Sequence, residues 1–355
     1  MTVDVALVGA GWWAANHHLP ALAGHPHARV VAVCDPDRDR ADELAARVGA
    51  RSFPTAADAW TAVPVDAVVV ATPHASHHEV VAAALDAGLH VLVEKPMTLT
   101  AADAFDLVRR AEEACVHLTV GYTHHFQPAA LAARDAVAND IGDLLQVTVE
   151  FSSRTGPLFE RAERGESGDR PEEQHAESYS AEHGGGQAHT QLTHALGMLT
   201  WVTGDQLTEV AAFTSSGGLD VDVDDAAAFR LASGATGVAV GTGRTADAVP
   251  VREHLRYHGT SGVVEQDLAR GRTVVRRADG TAVVTEPAED EPAYDPGAPA
   301  RAFVDLVRGE GPDLAPARPA AATVAAIEAL LTAAREGRVV AVPQLPDRQP
   351  RGGSG

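Results

Sequence analysis

The residue whose chemistry stands out first is Lys95, the single lysine in a chain that otherwise uses arginine for every basic side chain. Arginine keeps its proton at any ordinary pH, whereas a buried amine can release and regain one. Lys95 lies in Glu94-Lys95-Pro96, and is a candidate to polarise a reacting oxygen. A second group is Gly9-Ala10-Gly11-Trp12-Trp13-Ala14. Its spacing allows a tight turn, a close backbone approach to a pyrophosphate and close helix packing, with phosphate at a positive helix end. Asp35 follows the glycines by roughly 20 residues, where a carboxylate binds the ribose hydroxyls of NAD. Arg38 and Arg40 could meet a 2′-phosphate, which leaves NADP as the less favoured cofactor. A third group is Gly184-Gly185-Gly186-Gln187-Ala188-His189-Thr190-Gln191-Leu192-Thr193-His194. Thr190 and His194, four apart, are expected on one helix face, and such a polar face is costly to bury unless it is used.

These residues need elements to hold them. Val3 to Val8 reads as a strand, Trp13 to Leu22 as a helix, Arg29 to Val33 as a strand and Asp37 to Val48 as a helix. Strands follow at Ala67 to Val70, Leu89 to Val93 and Leu118 to Val120, with helices at Glu79 to Ala87 and Ala101 to Ala114. Ser76 with Glu79 and Thr100 with Asp103 spell helix caps. Strict alternation implies a parallel sheet covered on both faces, so the fold class is α/β, with a doubly wound Rossmann sheet first. Ligands bind beyond the carboxyl ends of such strands. Thr72-Pro73-His74, His77 and Glu94-Lys95-Pro96 therefore converge on the glycine turn, and a cis bond before Pro96 is open.

After Tyr122 the pattern changes to α+β. A helix at Pro128 to Ala138 and a strand at Leu144 to Phe151 precede an acidic loop or lid from Arg161 to His183. A helix then runs from the Gly184 turn to Val202, followed by antiparallel strands at Ala226 to Leu231, Val238 to Val240, His254 to Tyr257, Val263 to Gln266, Thr273 to Arg276 and Ala282 to Val284. Phe303 to Leu306 and Ala320 to Arg335 read as closing helices. The expected division is a dinucleotide-binding domain over 1–122, an α+β domain with a largely antiparallel sheet over 123–343, for which the resemblance named below implies an open sheet and a substrate-binding and oligomerisation role, and a disordered tail over 344–355.

A length of 355 residues suits two domains. The net charge of -21 leaves no broad positive field for nucleic acid or an anionic membrane. No apolar run reaches the roughly 20 residues of a membrane helix. Two cysteines, Cys34 and Cys115, make no disulfide framework, and the chain opens directly into a strand pattern without a signal segment. A cytoplasmic protein is expected. The 17 histidines form no recognised zinc spacing, so no metal is expected.

The chain resembles the glucose-fructose oxidoreductase and inositol 2-dehydrogenase family (Gfo/Idh/MocA) from Val5 to about Val340. The resemblance is carried by Gly9 to Ala14, Thr72-Pro73 with His77, Glu94-Lys95-Pro96, Gly121-Tyr122 with Phe126 and Pro128, and Gly184 to Gly186 with His194. It implies a cofactor site of Gly9, Gly11, Trp12, Trp13, Asp35, Arg38, Thr72, Pro73, His77, Glu94 and Lys95. It further implies hydride transfer between nicotinamide and a secondary alcohol or ketone of a sugar, cyclitol or related polyol, in a homodimer or homotetramer. Lys95 would bind the reacting oxygen, His194 would take or relay its proton, and Thr190 would orient that histidine. Tyr122, His125, His189 and Gln191 are the candidate substrate contacts. The departures are Thr190 where the family usually has Asp, Gly197 where a second Asp is common, His74 for Asn and His125 for Arg. Two alternatives stay open: a redox-neutral elimination or glycoside cleavage through a transient ketone, and a non-catalytic nucleotide-dependent sensor.

Overall fold

The computed structural model describes residues 1–166 and 179–346. The centre of the expected acidic loop, 167–178, and most of the expected tail, 347–355, lie outside the described residues.

The first sheet is parallel and six-stranded, in the order β3-β2-β1-β4-β5-β6. Its strands are β1 (Val3–Val8), β2 (Ala28–Cys34), β3 (Arg51–Phe53), β4 (Ala67–Val70), β5 (His90–Val93) and β6 (Leu118–Val120). All four residues of β4 are buried, as expected for a central strand covered on both faces. The covering helices include α1 (Leu19–Ala23), entered through a π-helical turn at Ala14–His18, then α2 (Arg38–Ala46), α3 (Ala56–Ala62), α4 (His77–Asp86) and α5 (Ala101–Ala114). Thr100 caps α5 by accepting from the Asp103 amide at 3.2 Å. The expected cap at Ser76 does not form. A 3₁₀ turn at His74–Ser76 runs straight into α4, and the Ser76 hydroxyl turns back to Thr72 and Pro73.

The second sheet has nine strands in the order β14-β13-β12-β11-β7-β10-β9-β8-β15. They are β7 (Leu144–Ser152), β8 (Leu207–Ser215), β9 (Asp224–Leu231), β10 (Thr236–Thr242), β11 (Arg252–Gly259), β12 (Gly262–Asp267), β13 (Arg272–Arg277), β14 (Ala282–Thr285) and β15 (Val340–Ala341). Only the β7–β10 pair is parallel. One face packs on α6 (Pro128–Asn139) and α8 (Thr193–Thr203). Between β7 and α8 lies α7 (Gly156–Arg164), so part of the stretch read as a loop is helical.

The last two helices, α9 (Ala298–Val307) and α10 (Ala317–Glu336), return to the first sheet. Ala300, Phe303 and Val304 join the core on one of its faces, and Ala317, Ala320, Ala321 and Val324 join the core on the other. The second half of α10, from Ala325 to Ala333, belongs to the core of the second sheet. One helix thus serves both cores.

Candidate active site

The site forms where the order of the parallel strands reverses, between β1 and β4. Gly9 ends β1 with φ +94°, and a Cβ there would lie 2.5 Å from the Ala71 carbonyl oxygen just after β4. Only glycine meets both the backbone angle and the space. Asp35, at the end of β2, accepts from the Ala10 amide at 2.8 Å and from the Asp37 amide at 2.8 Å. Arg40 approaches the same carboxylate at 3.4 Å. A carboxylate has about four acceptor positions, so Asp35 keeps capacity for ribose hydroxyls, and the turn and carboxylate fit a dinucleotide. Arg38 does not join them. Its side chain is 89% exposed, 3.8 Å from Asp42, because as the first residue of α2 it points away from Asp35 and leaves Arg40 on the inner side. Trp12 and Trp13 pack around His17, with ring centroids 5.0 and 4.3 Å from it.

Two residues expected to touch a cofactor, His77 and Glu94, also link elements of the fold. His77 is fully buried, with Nε2 2.9 Å from the Thr72 carbonyl and Nδ1 2.9 Å from the Pro96 carbonyl. It ties the ends of β4 and β5 together, and its ring has no nitrogen left for a ligand. Burial pushes its pKa down, with both carbonyls opposing. Glu94 accepts from His18 at 2.8 Å and from the Lys95 amide at 3.3 Å, which joins the helix after the glycine turn to the end of β5. Burial works against its charge, but His18 and Lys95 more than offset this and bring its pKa below the usual value.

Lys95 reaches from the end of β5 to the second domain, where its Nζ donates to the Thr190 carbonyl at 3.0 Å. The Lys95–Pro96 bond is cis. Burial lowers the lysine pKa, opposed by Glu94 and Glu253. His194, in the first turn of α8, carries a buried Nδ1 without a partner, so Nε2 is the nitrogen left for a ligand. Burial, then Lys95, His124 and His125, hold its pKa well below the usual histidine value. His74, 3.3 Å from the Gly184 carbonyl, stands near Lys95 and the half-buried His189, and burial lowers the pKa of both histidines. Gln191 is also half-buried.

Three further expected site residues are placed as follows. Thr190 lies in a π-helical turn, Ala188–Leu192. Its hydroxyl donates to the Gly186 carbonyl at 2.6 Å, so it contributes its carbonyl to Lys95 and does not orient His194. Tyr122 is 1% exposed, with its hydroxyl 3.1 Å from that of Thr193. His125 is 2% exposed and stacks between Tyr122 and Trp201 at 5.1 and 4.6 Å. Both side chains are buried in the core. Gly197 has a local reason, since a Cβ there would lie 2.8 Å from Tyr122.

Sequence reading missed His124, Glu253 and Tyr294. His124 lies beside His194, ring centroids 5.8 Å apart, and its Nε2 is 2.9 Å from Glu253 Oε2. Tyr294 lies 5.1 Å from His124. The neighbouring pair His124-His125 was visible, but which ring faces the site is set by a 3₁₀ turn, Thr123–Phe126. Among the described residues no three His, Cys, Asp or Glu side chains are placed to share a metal ion, and no helix is long and apolar enough to cross a membrane.

Residues 3–122 match an oxidoreductase family with an NAD-binding Rossmann fold, and residues 130–265 match the GFO/IDH/MocA C-terminal domain. Inositol 2-dehydrogenase 1 of Saccharopolyspora erythraea is 38% identical over 147 residues, 40% of this chain and 44% of that one. The match therefore spans less than half of that relative. D-apiose dehydrogenase of Paraburkholderia graminis is 29% identical over 97% of this chain and 91% of its own length. The crystal structure of GenD2 from gentamicin A biosynthesis in complex with NAD is 26% identical, covers 96% of this chain and 97% of that one, and superposes with a TM-score of 0.75.

Proposed function

The chain belongs to the Gfo/Idh/MocA oxidoreductase family, and on that footing we propose that it is an NAD-dependent dehydrogenase or ketoreductase. Its substrate class would be a secondary alcohol or ketone of a sugar, cyclitol or related polyol. The observation that carries this reading is the contact of 3.0 Å from Lys95 Nζ to the Thr190 carbonyl, which brings the only lysine to the helix that presents His194.

In the oxidative direction the substrate hydroxyl would lie between Lys95 and His194. Lys95 donates a hydrogen bond to the oxygen and stabilises negative charge as it develops. His194 has a lowered pKa, so its neutral ring is available near pH 7 to accept the hydroxyl proton at Nε2. The glycine turn and Asp35 would hold NAD, which supplies the hydride acceptor. His189, Gln191 and His74 are the side chains proposed to meet the remaining hydroxyls.

Neither cysteine is in a disulfide, which agrees with a reducing cytoplasmic setting. The outer face of the second sheet supports self-association. Phe213, Ala226 and Val240 stand in one lateral row across β8, β9 and β10, flanked by exposed Leu145 and Val238.

The experiment is to incubate the protein with NAD or NADP and a panel of cyclitols, aldoses and sugar acids while following reduced nicotinamide. Steady reduction of NAD by a polyol is the expected result. No cofactor reduction by any of the panel, and no reverse reaction with the ketones, would overturn the reading.

A further inference from the structure

His18 closes the π-helical turn that follows the glycine turn, and its ring is fully buried. Its Nδ1 is buried without a partner. Among the described residues the polar contact of the ring is therefore Nε2, 2.8 Å from Glu94 Oε1. An apolar side chain would fill this space without the cost of a half-satisfied imidazole, so the pairing with Glu94 is what the ring contributes. Glu94 stands just past β5, where its amide donates to the Val70 carbonyl at 2.9 Å. The next amide, that of Lys95, donates to the other carboxylate oxygen of the same glutamate, Oε2, at 3.3 Å. Room for the carboxylate comes from Gly121, just past β6, where a Cβ would lie 2.7 Å from Oε1 and 3.0 Å from Oε2. One carboxylate thus joins the helix after the glycine turn to the main chain at Lys95, and it lies flat against the end of the neighbouring strand.

We propose that His18 is a positioning residue of this active site: it holds the Glu94 carboxylate against the Lys95 amide, and so fixes the main chain from which the lysine side chain reaches the reacting oxygen. The assignment rests on the dehydrogenase reading above. Lys95 is held at both ends, its amide at Glu94 and its Nζ at the Thr190 carbonyl, 3.0 Å away. The ammonium keeps further donors for a substrate oxygen, and their aim depends on the main chain behind them. A reacting group displaced by about 1 Å can lose on the order of 10²-fold in rate even when the displaced contact is remote from the chemistry. His18 is sealed from solvent, so it acts on the reaction through Glu94 and Lys95 and not by contact with a substrate.

The test compares the full-length parent with His18→Leu and His18→Gln in two measurements. One is the rate of amine labelling at Lys95, read by mass spectrometry of its peptide; the other is steady-state oxidation of a polyol. Leucine removes the bond to Glu94 and keeps the space filled, whereas glutamine returns an N–H at similar reach. In His18→Leu the Lys95 peptide should label about tenfold faster, since a bond to a buried carboxylate is lost and the lysine is freed from one of its two anchors. Oxidative kcat should fall by about 10- to 10²-fold with KM changed by less than about threefold, and His18→Gln should recover most of both. A merely structural histidine would lower the melting temperature and leave the labelling rate where it is. An unchanged labelling rate in a His18→Leu protein that melts like the parent overturns the assignment. If His18→Leu does not fold, Glu94→Gln carries the test. Its single side-chain oxygen can serve His18 or the Lys95 amide but not both, so faster labelling supports the assignment and an unchanged rate overturns it. Labelling needs no substrate. Faster labelling in His18→Leu beside a parent that oxidises no polyol overturns the dehydrogenase reading alone, and an active parent with an unchanged rate in His18→Leu overturns this assignment alone.

Discussion

In the proposed reaction Lys95 and His194 would divide the work by charge. The amine would donate to the reacting oxygen, while the imidazole, its pKa lowered by burial and by Lys95, would accept the proton. Lys95→Arg should keep the fold and NAD binding, because the cofactor turn is formed by other residues. Turnover should fall by about 10²-fold or more, since the guanidinium fork cannot occupy the amine's place at the Thr190 carbonyl or exchange a proton. Steady-state kinetics beside calorimetric NAD titration checks this, and retained turnover would reduce Lys95 to a structural role. His125 allows a separate test. Burial, then the nearby His124, push its pKa down to about 3 from 6.5. The unfolded chain therefore takes up this proton first as the pH falls below 6.5, and the folded state loses stability from there towards the lower value. At pH 5 this amounts to about 2 kcal/mol for one group, at about 1.4 kcal/mol per unit. His125→Phe keeps the stacked ring without the titration, so unfolding free energy measured between pH 7 and 5 should fall by about 2 kcal/mol less. An unchanged slope would mean that the carbonyls of Leu314 and Gly197 already satisfy the charged ring.

At the scale of elements, the turn between β1 and the first helix is tightly constrained. Gly9→Ala would place a Cβ against the Ala71 carbonyl at a φ that alanine avoids. It should cost about 1–3 kcal/mol of stability and at least tenfold in NAD affinity. A variant that binds NAD as tightly as the parent would show that the approach of β1 to Ala71 is not what shapes the cradle. This turn was legible in the sequence because its signals are local: two glycines, a preceding strand and a following helix. The Thr100 cap was legible for the same reason. The three-residue β3 was not, since Arg51 and Ser52 leave no apolar alternation. The engagement of the Thr190 hydroxyl by the Gly186 carbonyl was not legible, since it forms within a π-helical turn that no local signal announces. Glu253 was beyond reach, since its approach to His124 joins residues far apart in the chain through the register of β11 on β7.

At the scale of the whole molecule, the open face of the second sheet leaves apolar side chains uncovered. Phe213 is 82% exposed at its edge, with Leu145, Val238 and Val240 beyond it, and surfaces of this kind mark association sites. A second copy laid face to face is the expected partner. Sedimentation should give a dimer or tetramer, and Phe213→Glu with Val240→Glu should give a folded monomer. Because each copy carries a charge of -21, association should tighten as salt screens the repulsion. An oligomer that survives both substitutions would place the interface elsewhere. The bridging helix α10 bears on how the chain is made. The Rossmann sheet is encoded before the second sheet, yet one of the helices that cover it, beside α4 and α5 on the same face, ends at Glu336. At about 5–20 residues per second, the ribosome takes on the order of 10–40 s to travel between them. Throughout that interval the nascent sheet lacks one of its covering helices, and its core is completed only after the second sheet has been made.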